Sequence, residues 1–271
     1  GATYVEENRD GSEDYTLKGA DLTLQAGKGT YLRTEYAETE SFVGSIFISD
    51  NGGFTFDRTN NEAAGRAGDT WSVEGRVNFT ELGWTQQDWS AGAWWRNSDA
   101  GFSTGLYDRL NQITDTGAEI LGQFTPNLGM FLRYNEVETG DNTLLEEQGT
   151  LVWRIDPVNT LSAEVRRVEE NIPFIGRDNT GLLGAVKYAH RFGTSLELFG
   201  LVQTTLDDDD GQYPDNDAYV AGGQFLFGDQ ASISGEASTG DRGDSATLSG
   251  EYRLSPIHSV YGGYTYSTDT T

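Results

Sequence analysis

The stretch LGMFLRYNEVETGDNTLLEEQGTLVWRIDPVNTLSAEVRR, residues 128–167, decides the fold of this chain. Its side chains alternate, so that Leu132 and Tyr134 share one face of an extended segment while Arg133 and Asn135 share the other. The acidic segment EVETGDNT joins the first extended segment to the second, and the short RIDPVN joins the second to the third. The stretch therefore predicts three successive β-strands, joined by a loop at one end and a tight turn at the other.

The same alternation of connections continues along the chain from about residue 125. The short turns are FTPNLG, RIDPVN, HRFG, LFGDQ and LSPIH. The longer, acidic loops are EVETGDNT, EENIPFIGRDNT, LDDDDGQYPDND and STGDRGDS. A chain that crosses a layer repeatedly, with brief returns on one side and long excursions on the other, produces this pattern, and transmembrane β-barrels have that asymmetry.

The first half of the chain has the same character with less regularity. AGKG (26–29) is a short turn, and DNGG (50–53) is a strong hairpin signal. Segment 98–116 must be one long loop on the acidic side if the alternation of ends is to hold, and its YDRLNQI sequence is compatible with a short helical turn. Strands are predicted at 14–26, 29–38, 44–50, 53–58, 70–80 and 89–97, which brings the total to roughly 16.

The charge balance excludes one class of partner. Acidic residues number 43 against 18 Lys and Arg, a net charge of −25, whereas a nucleic-acid partner needs a basic surface. The acidic excess instead attracts cations. Cysteine is absent, which rules out disulfides and thiolate metal sites, and the sequence has no apolar run long enough to predict a transmembrane helix.

A soluble β-sandwich or solenoid also has alternating strands, so it is the alternative to a membrane barrel. Three features favour the barrel: the difference in loop length, the charges of both signs on the polar face, and an apolar face diluted with Ala and Gly, which is thin for a shared dry core. No Pro-rich or Ser-rich linker divides the sequence, so we expect a single domain over residues 1–271.

The segments WRIDPVNTLSAEVRRVEE (153–170) and YRLSPIHSVYGGYTYSTDT (252–270) resemble hairpins from barrel regions of large bacterial surface proteins. As a whole the chain resembles a Gram-negative outer-membrane β-barrel protein and is porin-like in strand count. The resemblance implies an all-β fold, an up-and-down antiparallel transmembrane β-barrel in contact with the lipid of the bacterial outer membrane. Such barrels typically finish on an aromatic residue, whereas this sequence stops at Thr271, so part of a larger barrel is one expectation.

The two histidines, His190 and His258, both fall at short turns. A Ser–His–Asp hydrolase needs one of them, and outer-membrane hydrolases place their active sites toward the outer face, on the side of the long loops. We therefore expect turn histidines, no His-based zinc site, no cofactor and no enzymatic activity.

The densest charge cluster follows Leu206. Calcium takes six to eight oxygen ligands from flexible loops of this kind, so a Ca²⁺ or Mg²⁺ site is one interpretation and a solvated acidic loop is the other. The register of an EF-hand fails, because its first ligand position falls on Leu206. The candidate ligands are Asp207, Asp208, Asp209, Asp210, Asp215 and Asp217.

The tryptophans leave three interpretations open. They form an aromatic girdle at the lipid interface, take part in ordinary strand packing, or line a sugar-binding track inside a pore. Four of them cluster and two lie apart: Trp84, Trp89, Trp94 and Trp95, then Trp71 and Trp153.

The function predicted from these features is passive. A polar, water-filled lumen forms a channel for ions or small hydrophilic solutes, its acidic excess favours cations, and segment 98–116 folds inward as a constriction. The rival is a non-catalytic barrel anchor or scaffold of a larger surface protein or assembly, whose acidic loops contact a protein partner, further copies or divalent ions. The predicted lumen-lining residues are Arg133, Glu164, Arg166, Lys187, Glu197, Gln224, Glu236, Glu251 and Arg253.

Overall fold

The computed structural model describes residues 1–8, 14–41, 47–48, 57–58, 67–104, 109–209, 211–255 and 257–268. Fifteen strands form one antiparallel sheet in which they lie side by side in chain order, and two short strands, Phe47–Ile48 and Asp57–Arg58, form a separate pair. The all-β, up-and-down antiparallel fold is thus confirmed, with fifteen main strands where roughly sixteen were predicted.

The strands among the described residues are numbered β1–β17 in chain order. The strands of the first half are β1 (Ala2–Glu7), β2 (Tyr15–Gln25), β3 (Tyr31–Glu40), β4 (Phe47–Ile48), β5 (Asp57–Arg58), β6 (Ala67–Asn78), β7 (Trp89–Ser98) and β8 (Ile113–Thr125). Those of the second half are β9 (Leu128–Thr139), β10 (Asn142–Arg154), β11 (Asn159–Ile172), β12 (Arg177–Phe192), β13 (Leu196–Asp207), β14 (Ala218–Phe227), β15 (Ala231–Gly240), β16 (Gly243–Ser255) and β17 (His258–Ser267).

Several predicted acidic loops are instead extensions of strands. EVETGDNT and STGDRGDS are almost wholly strand, each closed by a two-residue turn, at 140–141 and 241–242. Glycine allows this at Gly140 and Gly243, whose φ angles are +59° and +118°. The expectation of long loops there was wrong, because most residues of these segments continue the ladder. The described residues of 208–217 lie outside the strands.

The first half also differs from the prediction in detail. No strand was predicted at β1, and residues 113–116 were predicted as loop although β8 begins at Ile113. Residues 109–112 form no helical turn, while 105–108 lie outside the described residues. The DNGG turn also lies outside them, but Phe47 pairs with Arg58 and Ile48 with Asp57 on either side of it.

By its internal contacts the chain divides into two compact units. Unit 1 comprises Gly1–Glu119, Tyr134–Leu145 and Asn171–Gly176, and unit 2 comprises Ile120–Arg133, Glu146–Glu170 and Arg177–Thr271. Each unit is a two-faced layer of strands, and the two are described separately below.

The described residues contain almost no buried apolar core. Tyr15 and Phe102 are their only buried hydrophobic side chains. Leu22, Leu24 and Trp95 are each more than a third exposed, as are the apolar side chains of most other strands. A soluble sandwich buries such side chains between two sheets, so this arrangement does not fit that alternative.

Candidate channel-lining faces

The strand register sorts the side chains of unit 1 into two faces. Leu32 lies opposite Leu24, Trp71 opposite Tyr36, and Val73 opposite Trp95, which makes one face apolar. The intervening positions carry the other, polar face, in successive cross-strand rows: Asp21, Glu35, Ser72 and Arg96; Thr23, Arg33, Glu74 and Trp94; Gln25, Tyr31, Arg76 and Gly92.

Charges of both signs are paired on the polar face of unit 1. Arg96 donates to Glu74 at 3.3 Å and to Asp115 at 3.2 Å, and Arg76 forms an ion pair with Glu119. Tyr31 donates its hydroxyl to Glu74 at 2.5 Å. A face that holds this many ionised groups needs water or other polar contacts to solvate them.

Trp94 belongs to this network and shapes it. Its indole Nε1 donates to Asp115 at 2.9 Å, and its ring lies where the Cβ of any residue but glycine would stand at position 117. Gly117 therefore leaves the space that the ring occupies.

The segment that follows β7 folds back onto this polar face. Ser103 is fully buried; its amide donates to Thr39 Oγ1 at 3.0 Å, and its carbonyl accepts from the Tyr15 hydroxyl at 3.0 Å. Phe102 is buried against Gly68, where a Cβ would collide with the backbone of Phe102. That segment 98–116 narrows a lumen stays a prediction.

At one end of the apolar face of unit 1, two aromatic side chains donate hydrogen bonds to carboxylates. The rings of Tyr36 and Trp71 are in tilted contact, with their centroids 4.4 Å apart. The Tyr36 hydroxyl donates to Glu38 at 2.9 Å, and the Trp71 indole donates to Asp69 at 3.0 Å. Aromatic side chains with their polar ends turned toward charged groups are typical of a membrane–water interface.

Unit 2 has the same two faces. Val186 lies opposite Val202, Leu248 opposite Tyr264, and Tyr252 opposite Val260, all on the apolar face. On the other face, Arg191 lies opposite Glu197, which in turn lies opposite Gln224.

The predicted lining residues gather on this second face of unit 2. Lys187, Glu197, Gln224 and Glu236 line one cavity of about 360 Å³, and Glu164 and Arg166 line another of about 310 Å³. Glu251 and Arg253 continue the same alternation along β16. Arg133 lies exposed in β9. That these residues line a lumen stays a prediction.

The charged side chains on this face of unit 2 mostly have partners as well. Arg166 lies 3.0 Å from Glu164, and Gln148 donates to the same carboxylate at 2.9 Å. The ammonium group of Lys187 lies 3.9 Å from the centroid of the Phe199 ring. The predicted lining residues include none from unit 1, although the Ser72–Glu74–Arg76 alternation marks such positions. Asp115 lies within segment 98–116, which was predicted to be a loop.

The acidic loop after β13 uses carboxylates to hold its own backbone. Asp207 accepts from the amide of Asp209 at 3.1 Å, and Asp217 accepts from the amide of Thr205 at 2.8 Å. Asp208 and Asp215 lie in the same loop, but Asp210 lies outside the described residues. No group of three or more His, Asp or Glu suited to a metal ion occurs among the residues that the structure describes. The ion site stays a prediction.

Both histidines lie at the ends of strands near short turns, as predicted. The His190 Nδ1 atom lies 2.6 Å from Asn159 Oδ1, and the His258 Nδ1 atom lies 2.9 Å from Ser255 Oγ. Neither contact provides the carboxylate that orients a catalytic imidazole.

The tryptophans lie in different environments, and the three interpretations of them stay predictions. Trp71 and Trp95 lie on the apolar face of unit 1, and Trp94 lies on its polar face. Trp84 lies in a short turn with its ring 5.6 Å from Phe79, and Trp153 is about half exposed in β10. Trp89 begins β7.

Comparison with known proteins finds likeness in solved structures alone. No protein-family model matches the chain, and no curated protein matches it. A triple mutant of the Rhodopseudomonas blastica porin is 11% identical with a TM-score of 0.48, covering 97% of this chain and 90% of the porin. The KdgM porin is 9% identical with a TM-score of 0.36, covering 68% and 90%. The ferric-catecholate import receptor Fiu of E. coli K12 is 11% identical with a TM-score of 0.46, covering 94% of this chain and 51% of the receptor.

These likenesses carry no information on function at such identities and scores. Among the described residues, no helix has the length and apolar character to span a membrane.

Proposed function

We propose that this chain is an outer-membrane β-barrel that forms a channel for ions and small hydrophilic solutes. The observation that carries the proposal is the distribution of its side chains, which is the reverse of that in a soluble protein. One face of each unit is apolar yet exposed, while the other carries ion pairs such as Arg96–Glu74 and Arg166–Glu164. Lipid in contact with the apolar face and water in contact with the charged face solvate the side chains of both faces.

The length of the strands suits a bilayer. A tilted strand needs about nine to eleven residues to cross the hydrocarbon layer. Every strand of the main sheet but β1 has ten or more residues, and β12 has sixteen. The sheet then closes into a barrel, alone or with further strands, since an open edge in lipid leaves backbone groups without partners.

The proposed channel prefers cations and performs no catalysis. The chain carries a net charge of −25, and carboxylates outnumber cationic groups on the polar face of unit 1. Acidic linings raise the local concentration of cations and repel anions.

Planar-bilayer recording tests the proposal. Purified protein should produce discrete conductance steps, and a tenfold KCl gradient should give a reversal potential of the sign set by K⁺. Absence of steps from protein that inserts into liposomes would refute the channel, whereas a chloride-signed potential would refute the cation preference alone.

The scaffold function remains the second candidate because of one exposed feature. The 3₁₀ turn Pro173–Ile175 ends the hairpin between β11 and β12, and its Phe174 side chain is 96% exposed. The Arg177–Glu170 ion pair, 3.1 Å long, braces the stem of the hairpin. A Phe174→Ser substitution that leaves conductance unchanged but abolishes co-purification of a surface protein would favour this candidate; no change in either would count against it.

A further inference from the structure

One aromatic ring of unit 2 lies on the polar face of the sheet. Phe199 shares this face of β13 with Glu197 and Gln203, whereas Leu198 and Val202 lie on the apolar face. Its side chain is half-buried. A water-filled channel needs only polar groups on this face, so the ring calls for a separate explanation. Apolar surface that is rimmed by polar residues marks sites where ligands bind.

The sheet holds this ring in a fixed place. Gly222 lies opposite Phe199 on β14, and a Cβ at Gly222 would come within 2.6 Å of a carbon of the ring. The ammonium group of Lys187 lies 3.9 Å from the centroid of the same ring. Gly222 and Lys187 therefore set the position of the ring before any solute binds.

Hydrogen-bonding side chains surround the ring in a cavity of about 360 Å³. They come from four neighbouring strands, β13 to β16, and occupy two adjacent rows of the strand register. A volume of this size is within the range of binding sites for small molecules. One row supplies Glu197, Gln224, Ser234 and Ser249, and the other supplies Glu236 and Thr247.

The charges at the cavity balance. Lys187, Glu197 and Glu236 line it, and Arg191 pairs with Glu197 at 3.3 Å. Two cationic side chains and two carboxylates leave no net charge. A solute that carries a single charge of either sign would therefore meet a like charge, which is costly. The balance favours a neutral solute.

The remaining groups of the cavity both donate and accept hydrogen bonds. The Ser234 and Ser249 hydroxyl oxygens lie 2.7 Å apart, so one hydroxyl donates and the other keeps its proton for a solute. Gln224 carries both an amide donor and an amide acceptor. Within the part of the chain that the structure describes, the Glu236 carboxylate has neither a hydrogen bond nor an ion pair. It is therefore available to accept from a solute.

From this arrangement we infer that the cavity binds a neutral sugar. A sugar ring presents apolar C–H groups together with hydroxyls that each donate and accept, and these match Phe199 and the polar groups around it. Glu236 accepts from hydroxyls of the sugar, while Lys187 and Gln224 donate to them. The inference rests on the proposed channel and names the solute class of that same pathway.

A free amino acid is the competing solute. Its ammonium group would pair with Glu236 and its carboxylate with Lys187. The smallest amino acid, glycine, would leave the Phe199 ring and the serine hydroxyls without a contact. A sugar uses all of these groups, so it is the solute that the cavity fits better.

Isothermal titration calorimetry of the full chain tests the inference in lauryldimethylamine oxide, a detergent without a sugar headgroup. The probes are glucose, glucuronate, which adds one negative charge to the same ring, and glycine. We expect glucose to bind about tenfold more tightly than glycine and at least as tightly as glucuronate. Tighter binding of glycine or of glucuronate, or no saturable heat with glucose, would overturn the inference.

Glu236→Ala is the decisive variant and Asp178→Ala its matched control. Both remove one exposed carboxylate from a strand of unit 2. Asp178 lies near the start of β12, whereas Lys187 of the cavity lies near its end. Glucose affinity should fall about tenfold in Glu236→Ala and remain unchanged in Asp178→Ala. An unchanged affinity in Glu236→Ala, or an equal loss in both variants, would refute the site.

Single-channel recording separates this inference from the channel itself. Glucose should reduce the open current of the wild type in KCl and affect Glu236→Ala less. KCl conductance with no effect of glucose and no heat of binding would overturn the sugar site while the channel stands. Calorimetric binding of glucose without any conductance would overturn the channel and retain the site.

Discussion

Single residues fix the geometry of the polar face, and Gly117 is the clearest example. The Trp94 ring occupies the space of a Cβ at this position while its indole holds Asp115. Gly117→Ala should displace the ring and destabilise the fold by about 1–3 kcal/mol, as overpacking does elsewhere. Denaturant unfolding in detergent measures the change.

Gly262 offers the control for this prediction. No atom lies within 4 Å of a Cβ placed there. Gly262→Ala should therefore leave the unfolding midpoint within about 0.5 kcal/mol of the wild type. Equal effects of the two substitutions would contradict the packing described for Trp94.

Asp99 makes the anchoring of the folded-back segment depend on pH. A hydrogen bond with Asp69 raises the pKa of the Asp99 carboxyl, and the amide of Asp99 donates to the Asp69 carbonyl at 2.8 Å. A raised carboxyl pKa means that the folded state favours the protonated form. The stabilisation is present below the ordinary carboxyl pKa near about 4 and is lost as the pH rises through the raised value.

The expected result is a narrower channel in acid. As the pH falls from 7 toward about 4, the segment should dock more firmly and conductance should decrease. Asp99→Asn, which resembles the protonated form, should remove this part of the pH dependence. A pH profile identical in the wild type and the variant would contradict the role given to the Asp69–Asp99 contact.

At the scale of the element, the segment between β7 and β8 is the feature with the largest expected effect on conduction. Tyr15, Thr39 and Gly68 hold its residues Phe102 and Ser103 against the polar face. Replacing residues 99–109 by a short Gly–Ser linker should raise single-channel conductance, because the obstruction is removed. The same replacement of loop 208–217 is the control and should leave conductance nearer to the wild-type value. A larger effect from the control would refute the constriction.

The surroundings of each strand explain why the sequence predicts some strands and not others. Period-two alternation in Met130–Asn135 or Ser72–Asn78 predicts strands because the two faces meet different surroundings. Polar stretches such as EVETGDNT conceal a strand, since both of their faces meet water and the alternation disappears. The short β1 was missed for a related reason: six residues give the pattern little length.

At the scale of the whole molecule, the lack of a buried core predicts dependence on an amphiphile. Large apolar side chains such as Leu198, Tyr219 and Leu248 are exposed on one face of unit 2. The protein should aggregate when detergent is removed and stay monodisperse in detergent micelles, because exposed apolar patches of this extent associate in water. Light scattering during detergent dialysis measures this, and a monodisperse detergent-free sample would contradict a membrane barrel.

The sequence predicted the placement of charge on unit 2 better than on unit 1. Lys187, Glu197 and Gln224 share a cavity as their alternation implied. The Glu35–Ser72–Arg96 row required knowledge of which strands are neighbours and of their register, because β3 and β6 are separated by a long segment of sequence. Cross-strand register depends on pairing between distant parts of the chain, which local patterns do not specify.

In the proposed channel the apolar face meets lipid while the polar face meets water, and Trp94 and Trp95 test this orientation directly. They are adjacent in β7 and lie on opposite faces. Two variants, one with Trp95 and one with Trp94 as its only tryptophan, should differ in bilayers of brominated lipid. The fluorescence of Trp95 should be strongly quenched by bromine. The fluorescence of Trp94 should be protected from bromine and remain accessible to an aqueous quencher. Quenching of both by bromine, or of Trp94 alone, would contradict the orientation on which the channel depends.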